Sequence, residues 1–166
     1  MSRPGASEAV AEPVIYVDAD ACPVKEEAVR VAMRHRLVIT FVANQGSRPT
    51  RDPMIRYVYV PQGPDAADDW IVEQAVANDI VVTADIPLAS RALEVGAHVL
   101  GPTGRRFTRD SIGMALAMRD LKQHLRETGE SRGLNPEFSP RDRSQFLAVL
   151  DETVNRAKRT ATQVAK

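Results

Sequence analysis

Five short apolar runs constrain this chain most: Val14–Val17, Leu37–Ala43, Tyr57–Val60, Ile80–Ala84 and Ala97–Leu100. They are rich in β-branched residues and lack clean polar alternation, as strands do in a parallel sheet covered on both faces. Stretches of helical spacing lie between them. Pro23 to Arg34 opens on a proline suited to a first turn and sets Val24, Ala28, Val31 and Ala32 on one face. Asp65 to Asn78 carries Trp70, Ile71, Val72, Ala75 and Val76, and Pro87 to Val95 is shorter. Strands alternating with helices predict an α/β domain with a mostly parallel five-stranded sheet. No helix fits between Leu37 and Val60, where Asn44 to Pro53 holds one Gly and two Pro and reads as a loop.

After Leu100 the pattern changes. Asp110 or Ser111 is positioned to cap a helix running to about Glu127. Thr128 to Pro140 reads as a loop, and Ser144 to Lys158 as a last amphipathic helix through Phe146, Leu147, Leu150 and Val154. One domain over residues 14–158 is expected, with disordered tails at 1–13 and 159–166.

The 166 residues suffice for one core without staples. The single cysteine, Cys22, excludes an intrachain disulfide and suits a reducing compartment, the cytoplasm. No apolar run approaches a membrane span, and the first 13 residues lack the apolar stretch of a secretory signal. The formal net charge is zero but unevenly laid out. No Lys or Arg falls between Arg56 and Arg91, while Asp65, Asp68, Asp69, Glu73, Asp79 and Asp85 do. Basic residues collect after Arg105, so an acidic cleft beside an anion-binding rim is expected.

The acids are where chemistry is expected. In Val14-Ile-Tyr-Val-Asp-Ala-Asp-Ala-Cys-Pro-Val-Lys25 a strand runs into Asp18 and Asp20. Ligands of open α/β sheets gather at the carboxyl ends of strands, and a hard cation such as Mg²⁺ or Mn²⁺ offsets the repulsion of neighbouring carboxylates. Asp85 follows the fourth strand in the same way. Asp65, Asp68 and Asp69 share one helix face, where they repel each other yet benefit from the positive end of the macrodipole. Singly, each acid suits a cap or a turn. Together they suggest a metal site of Asp18, Asp20, Asp65, Asp68, Asp69 and Asp85, able to activate water and neutralise a phosphodiester.

Lys25 lies within reach of a phosphate, Thr83 of a metal-bound water, and Asn44 and Gln45 of substrate. Gly101-Pro-Thr-Gly-Arg-Arg-Phe-Thr108 offers backbone N–H groups and the forks of Arg105 and Arg106 to phosphates. It lacks the Gly-Lys-Ser/Thr ending of a P-loop. Cys22 reads as a packed residue, and the three histidines have no zinc spacing.

Five motifs carry a resemblance: Val17-Asp-Ala-Asp-Ala-Cys-Pro-Val-Lys, Val42-Ala-Asn-Gln, Gly63-Pro-Asp-Ala-Ala-Asp-Asp-Trp-Ile, Thr83-Ala-Asp-Ile-Pro-Leu-Ala and Ser139-Pro-Arg-Asp-Arg-Ser-Gln-Phe. In this order, from about Val14 to Arg156, they resemble the YaiI/YqxD family of uncharacterised bacterial proteins. That family more loosely resembles PIN-like nuclease domains. The resemblance implies a three-layer sandwich of sheet order 3-2-1-4-5, with extra C-terminal helices here. It also implies Mg²⁺- or Mn²⁺-dependent phosphodiester hydrolysis, usually of RNA. It matches the first acid to Asp18, the helix acid to Asp69 or its neighbours Asp65 and Asp68, and the third to Asp85 of Thr83-Ala-Asp. Asp20 and the doubled Asp68-Asp69 are additions to that pattern. The catalytic set is then Asp18, Asp20, Asp69 and Asp85.

Two other functions compete. A haloacid-dehalogenase-type phosphatase would use Asp18 as nucleophile and Asp20 as acid/base, although Ala21-Cys22-Pro23 replaces the usual Gly-Thr continuation. A non-catalytic RNA- or protein-binding module is the other, and the 5% aromatic content argues against base stacking as its mode.

Overall fold

The computed structural model describes residues 12–44, 51–61, 63, 65–127 and 138–164. In chain order it builds β1 (Ile15–Asp18), α1 (Lys25–His35), β2 (Ile39–Ala43), β3 (Ile55–Tyr59), α2 (Ala66–Gln74), β4 (Ile80–Val82), α3 (Ile86–Glu94), β5 (His98–Leu100), β6 (Arg106–Phe107), α4 (Arg109–Glu127) and α5 (Pro140–Val164). One 3-10 turn, Ala19–Ala21, follows β1.

The sheet order is β3-β2-β1-β4-β5-β6. The first five strands run parallel, in the order expected of them. A sixth strand corrects the expected count of five: β6 pairs antiparallel with β5, Arg106 opposite Leu100 and Phe107 opposite Val99. The glycine-rich loop makes this return. Gly101 N–H donates to the Arg105 carbonyl at 2.8 Å and Gly104 N–H to the Gly101 carbonyl at 3.0 Å. Gly104 has φ +87°, and a Cβ there would lie 3.0 Å from the Gln145 carbonyl of α5, so only glycine suits that position.

Side chains alternate through each strand into two cores. On one face Ile15, Val17, Ile39 and Phe41 meet Ala28 and Val31 of α1 and Phe146, Leu150 and Val154 of α5. On the other, Tyr16, Val42, Val81 and Val99 meet Ile71 of α2 and Leu88 and Ala92 of α3. Helices on both sides make three layers, and this is why the strands show no polar face.

Local chemistry moves several expected boundaries. α2 stops at Gln74 rather than Asn78, because buried Asp79 takes the N–H of Val14 through Oδ1 and of Val76 through Oδ2, each at 3.0 Å. Asn78 turns left-handed there, at φ 78°. α4 is capped by Thr108 rather than Asp110 or Ser111: Thr108 Oγ1 accepts Ser111 N–H at 3.1 Å and Ser111 Oγ accepts Thr108 N–H at 2.9 Å. α5 starts at Pro140, ahead of the expected Ser144, and runs on to Val164. Ser139 and Asp142 form its reciprocal cap, at 3.1 and 3.0 Å.

The next residue of that motif fastens the layers. Arg143 donates to the Pro23 carbonyl at 2.9 Å, pairs with buried Glu27 of α1 at 3.3 Å, and stacks on Phe138 at 5.0 Å. Arg143→Ala would leave Glu27 and the Pro23 carbonyl without this donor. The expected loss is about 2 kcal/mol of stability, read as a lowered urea midpoint at unchanged slope. A change under about 0.5 kcal/mol, the size of an ordinary surface substitution, would show that the clasp is idle.

Candidate functional site

β1 and β4 are neighbours from which the chain departs in opposite directions, to β2 and β3 on one side and to β5 and β6 on the other. A crevice forms at the carboxyl ends of such a pair. Asp18 is the last residue of β1, and Asp85 lies three residues beyond the end of β4. Thr83 ties them together. Its hydroxyl, buried, donates to Asp18 Oδ2 at 3.0 Å and accepts the Asp85 N–H at 2.9 Å. Asp85 caps α3 by accepting Leu88 N–H through Oδ1 at 2.9 Å. The capping role that sequence allows for Asp85 is thus real, and it fixes the carboxylate beside Asp18.

The first turn of α2 supplies the third acid. Asp68 is 9% exposed. Burial, then the charges of Asp85, Asp18 and Asp65, push its carboxyl up to about 7, with Arg91 pulling the other way. Asp18 is also raised: burial is the largest cause, Asp85 and Asp20 add to it, and the Thr83 hydrogen bond opposes it. Asp18, Asp68 and Asp85 therefore feel one another in a partly desolvated crevice.

The other expected residues have different surroundings. Asp69, one position along α2, points away and pairs with Arg91 of α3 at 2.8 Å. Asp20 accepts the Asn44 N–H at 2.9 Å. Asp65 is exposed just before α2, and Lys25 opens α1 half-buried. Asn44 ends beside β2 with its Oδ1 buried and unpartnered among the described residues. Gln45 lies outside the described residues. Arg106 pairs with Glu152 of α5 at 2.9 Å, and Arg105 lies over the Phe107 ring at 5.0 Å. The N–H groups of Gly101 and Gly104 are taken by the loop itself. Among the described residues no three acidic, His or Cys side chains are gathered as a ready-made metal cage. Cys22 packs half-buried against the core with its thiol pushed up by burial.

Sequence reasoning passed over Arg91. Its signal was the cation-free window that ends at this residue. The arginine sits where α3 faces α2, holds Asp69 aside, and is the cation that lowers Asp68.

The family described as "Uncharacterized BCR, YaiI/YqxD family" matches residues 16–156. The chain belongs to this family. A UPF0178 protein of Mesorhizobium japonicum is 67% identical over 150 residues, spanning 90% of this chain and 97% of its own. One of Agrobacterium fabrum is 64% identical over 147 residues, 89% of this chain and 96% of its own. One of Rhodospirillum rubrum is 53% identical over 146 residues, 87% and 97%. No solved structure matches significantly. Within this YaiI/YqxD chain four of the five sequence motifs divide by task. Those around Asp18, Asp68 and Thr83-Ala-Asp85 meet at the crevice, while Ser139 to Arg143 caps α5 and clasps it to α1. No helix among the described residues is long and apolar enough to cross a membrane.

Proposed function

We propose that this chain is a Mg²⁺- or Mn²⁺-dependent phosphodiesterase of the nuclease type, acting on RNA, with Asp18, Asp68 and Asp85 as its acidic centre. The observation that carries the reading is geometric: buried Thr83 ties Asp18 and Asp85 together at the switch point of a parallel sheet, with buried Asp68 under their charge. The order β3-β2-β1-β4-β5 and acids placed after the first strand, on the central helix and after the fourth strand support the likeness to PIN-like nucleases.

The donor set suits the ion. Carboxylates are hard oxygen donors, and Mg²⁺ keeps several waters while using only one or two carboxylates. A preassembled cage is therefore not required. An ion bound here would neutralise phosphodiester charge and activate a water. The chain's own residues set the stage. Thr83 fixes the orientation of Asp18, the α3 cap fixes Asp85, and Asp68 changes protonation near neutral pH as charge enters the crevice. Lys25, the first residue of α1, would meet a phosphate of the substrate.

The test is a hydrolysis panel of labelled RNA, DNA and a phosphate monoester, with Mn²⁺ and with EDTA. RNA cleavage that needs Mn²⁺ and falls about 100-fold or more in Asp18→Asn is expected, a loss of about 2.7 kcal/mol of transition-state stabilisation. Hydrolysis of the monoester alone would replace the reading with a phosphatase using Asp18 and Asp20. No hydrolysis of any substrate would leave a binding module.

A further inference from the structure

A second pocket lies away from the acidic crevice, at the β5–β6 edge where α5 crosses. Its volume is about 240 Å³, and Leu93, Ala97, Val99 and Phe107 give it an apolar wall. Arg106 and Arg156 also line it. Neither Asp18, Asp68 nor Asp85 does.

The two guanidinium groups share one internal carboxylate. Glu152 of α5 reaches Arg106 Nη2 through Oε2 at 2.9 Å and Arg156 Nη2 through Oε1 at 3.5 Å. That side chain is 57% exposed, so it bridges the arginines from the solvent side. Arg106 is less well satisfied than this pairing suggests. Its Nε–H is buried with no hydrogen-bond partner among the described residues. Native structures rarely leave such a donor unpaired without a reason. Two cations against one carboxylate leave a net positive charge, and it reaches His98: after burial, Arg156 is what lowers the imidazole's pKa.

We propose that this pocket binds a small organic phosphate monoester, its phosphate between Arg106 and Arg156 and its apolar body against Leu93, Val99 and Phe107, with Glu152 as the carboxylate it displaces. The arginine forks match the oxygens of a phosphate in pairs. A ligand must outcompete a tethered carboxylate to enter. A monoester does so because it carries up to two charges and three terminal acceptor oxygens where Glu152 carries one charge and two. The volume lies below the roughly 300–1,000 Å³ of drug-sized sites, so the ligand is small. None of this depends on the nuclease reading.

The test is binding of phenyl phosphate in EDTA, followed by calorimetry and by the His98 ring resonances. Phenyl phosphate should bind, move the His98 signals, and bind more tightly than inorganic phosphate or benzoate. Arg156→Gln and Arg106→Gln should each weaken it about tenfold or more, the worth of one charge-assisted hydrogen bond. Glu152→Gln should tighten it several-fold, because the competing charge is gone. That gain needs a folded, intact pocket, so it separates the proposal from simple loss of fold in the arginine variants. No binding, equal binding of inorganic phosphate, binding that leaves His98 unmoved, or weaker binding in Glu152→Gln would overturn it.

Discussion

Millimolar Mn²⁺ should raise the melting temperature of the wild-type protein, of Asp20→Asn and of Asp69→Asn, and leave Asp18→Asn, Asp68→Asn and Asp85→Asn almost unmoved. A cation that binds only the folded state stabilises it by mass action, by about 2.7 kcal/mol at one hundred times its dissociation constant. For a chain of this length that is a rise of about 5–10 °C. The acids divide by what already holds them. Asp69 is paired with Arg91, and Asp20 turns to the Asn44 N–H. Asp18 and Asp68 are instead buried in the crevice with the charge of Asp85 beside them, and Thr83 links Asp18 to the Asp85 backbone. Asparagine is nearly isosteric, and at position 85 its carbonyl still caps α3, so the variants should fold. Exposed Glu94→Gln on α3 is the control. Equal shifts in all variants would mean that the crevice does not take the ion, and the proposed function would fall with it.

The choice between Asp68 and Asp69 shows where sequence stops being readable. Both lie in the first turn of α2, and helical spacing alone puts either on a shared acidic face. The phase is decided by packing: Ala67 and Ile71 go into the core, and Asp68, beside them on the helix wheel, goes under with them. Asp69 is left 54% exposed, within reach of Arg91. That phase depends on where α2 meets β1 and α3, which no local pattern records. The strands were readable for the opposite reason. The β-branched runs, buried on both faces except at the edge strand β3, leave a local signature, whereas β6, two residues starting with an arginine, leaves none. The strand-end positions of Asp18 and Asp85 were readable because a strand followed by an acid is also a local pattern. Arg105 and Arg106 were not, because a charge run carries no information about its partners. Arg106 meets Glu152, 46 positions along the chain, only because α5 crosses that edge of the sheet.

Without metal, the stability of the wild-type protein relative to Asp68→Asn should fall as pH rises from about 4 to 7. An unfolded Asp titrates near 3.9, and the folded one is pushed up to about 7. Below pH 4 both states carry the proton, and Asp68 costs nothing. Between the two values the unfolded chain gives up the proton while the folded chain keeps it. The unfolded state therefore binds fewer protons, and stability falls with pH by about 1.4 kcal/mol per unit. Above pH 7 the folded carboxylate ionises too and the loss levels off, at a total on the order of 4 kcal/mol. Asp68→Asn has no such titration. Urea midpoints in EDTA should be similar for the two proteins near pH 4, and near pH 8 the variant should be clearly the more stable. Parallel curves would mean that Asp68 titrates as an ordinary surface acid, with no charged neighbours to relieve. Saturating Mn²⁺ should reverse the order at pH 8, because the ion favours the carboxylate that the empty crevice penalises. Burial and the neighbouring carboxylates, which weaken the metal-free protein, would then be what draws the ion in.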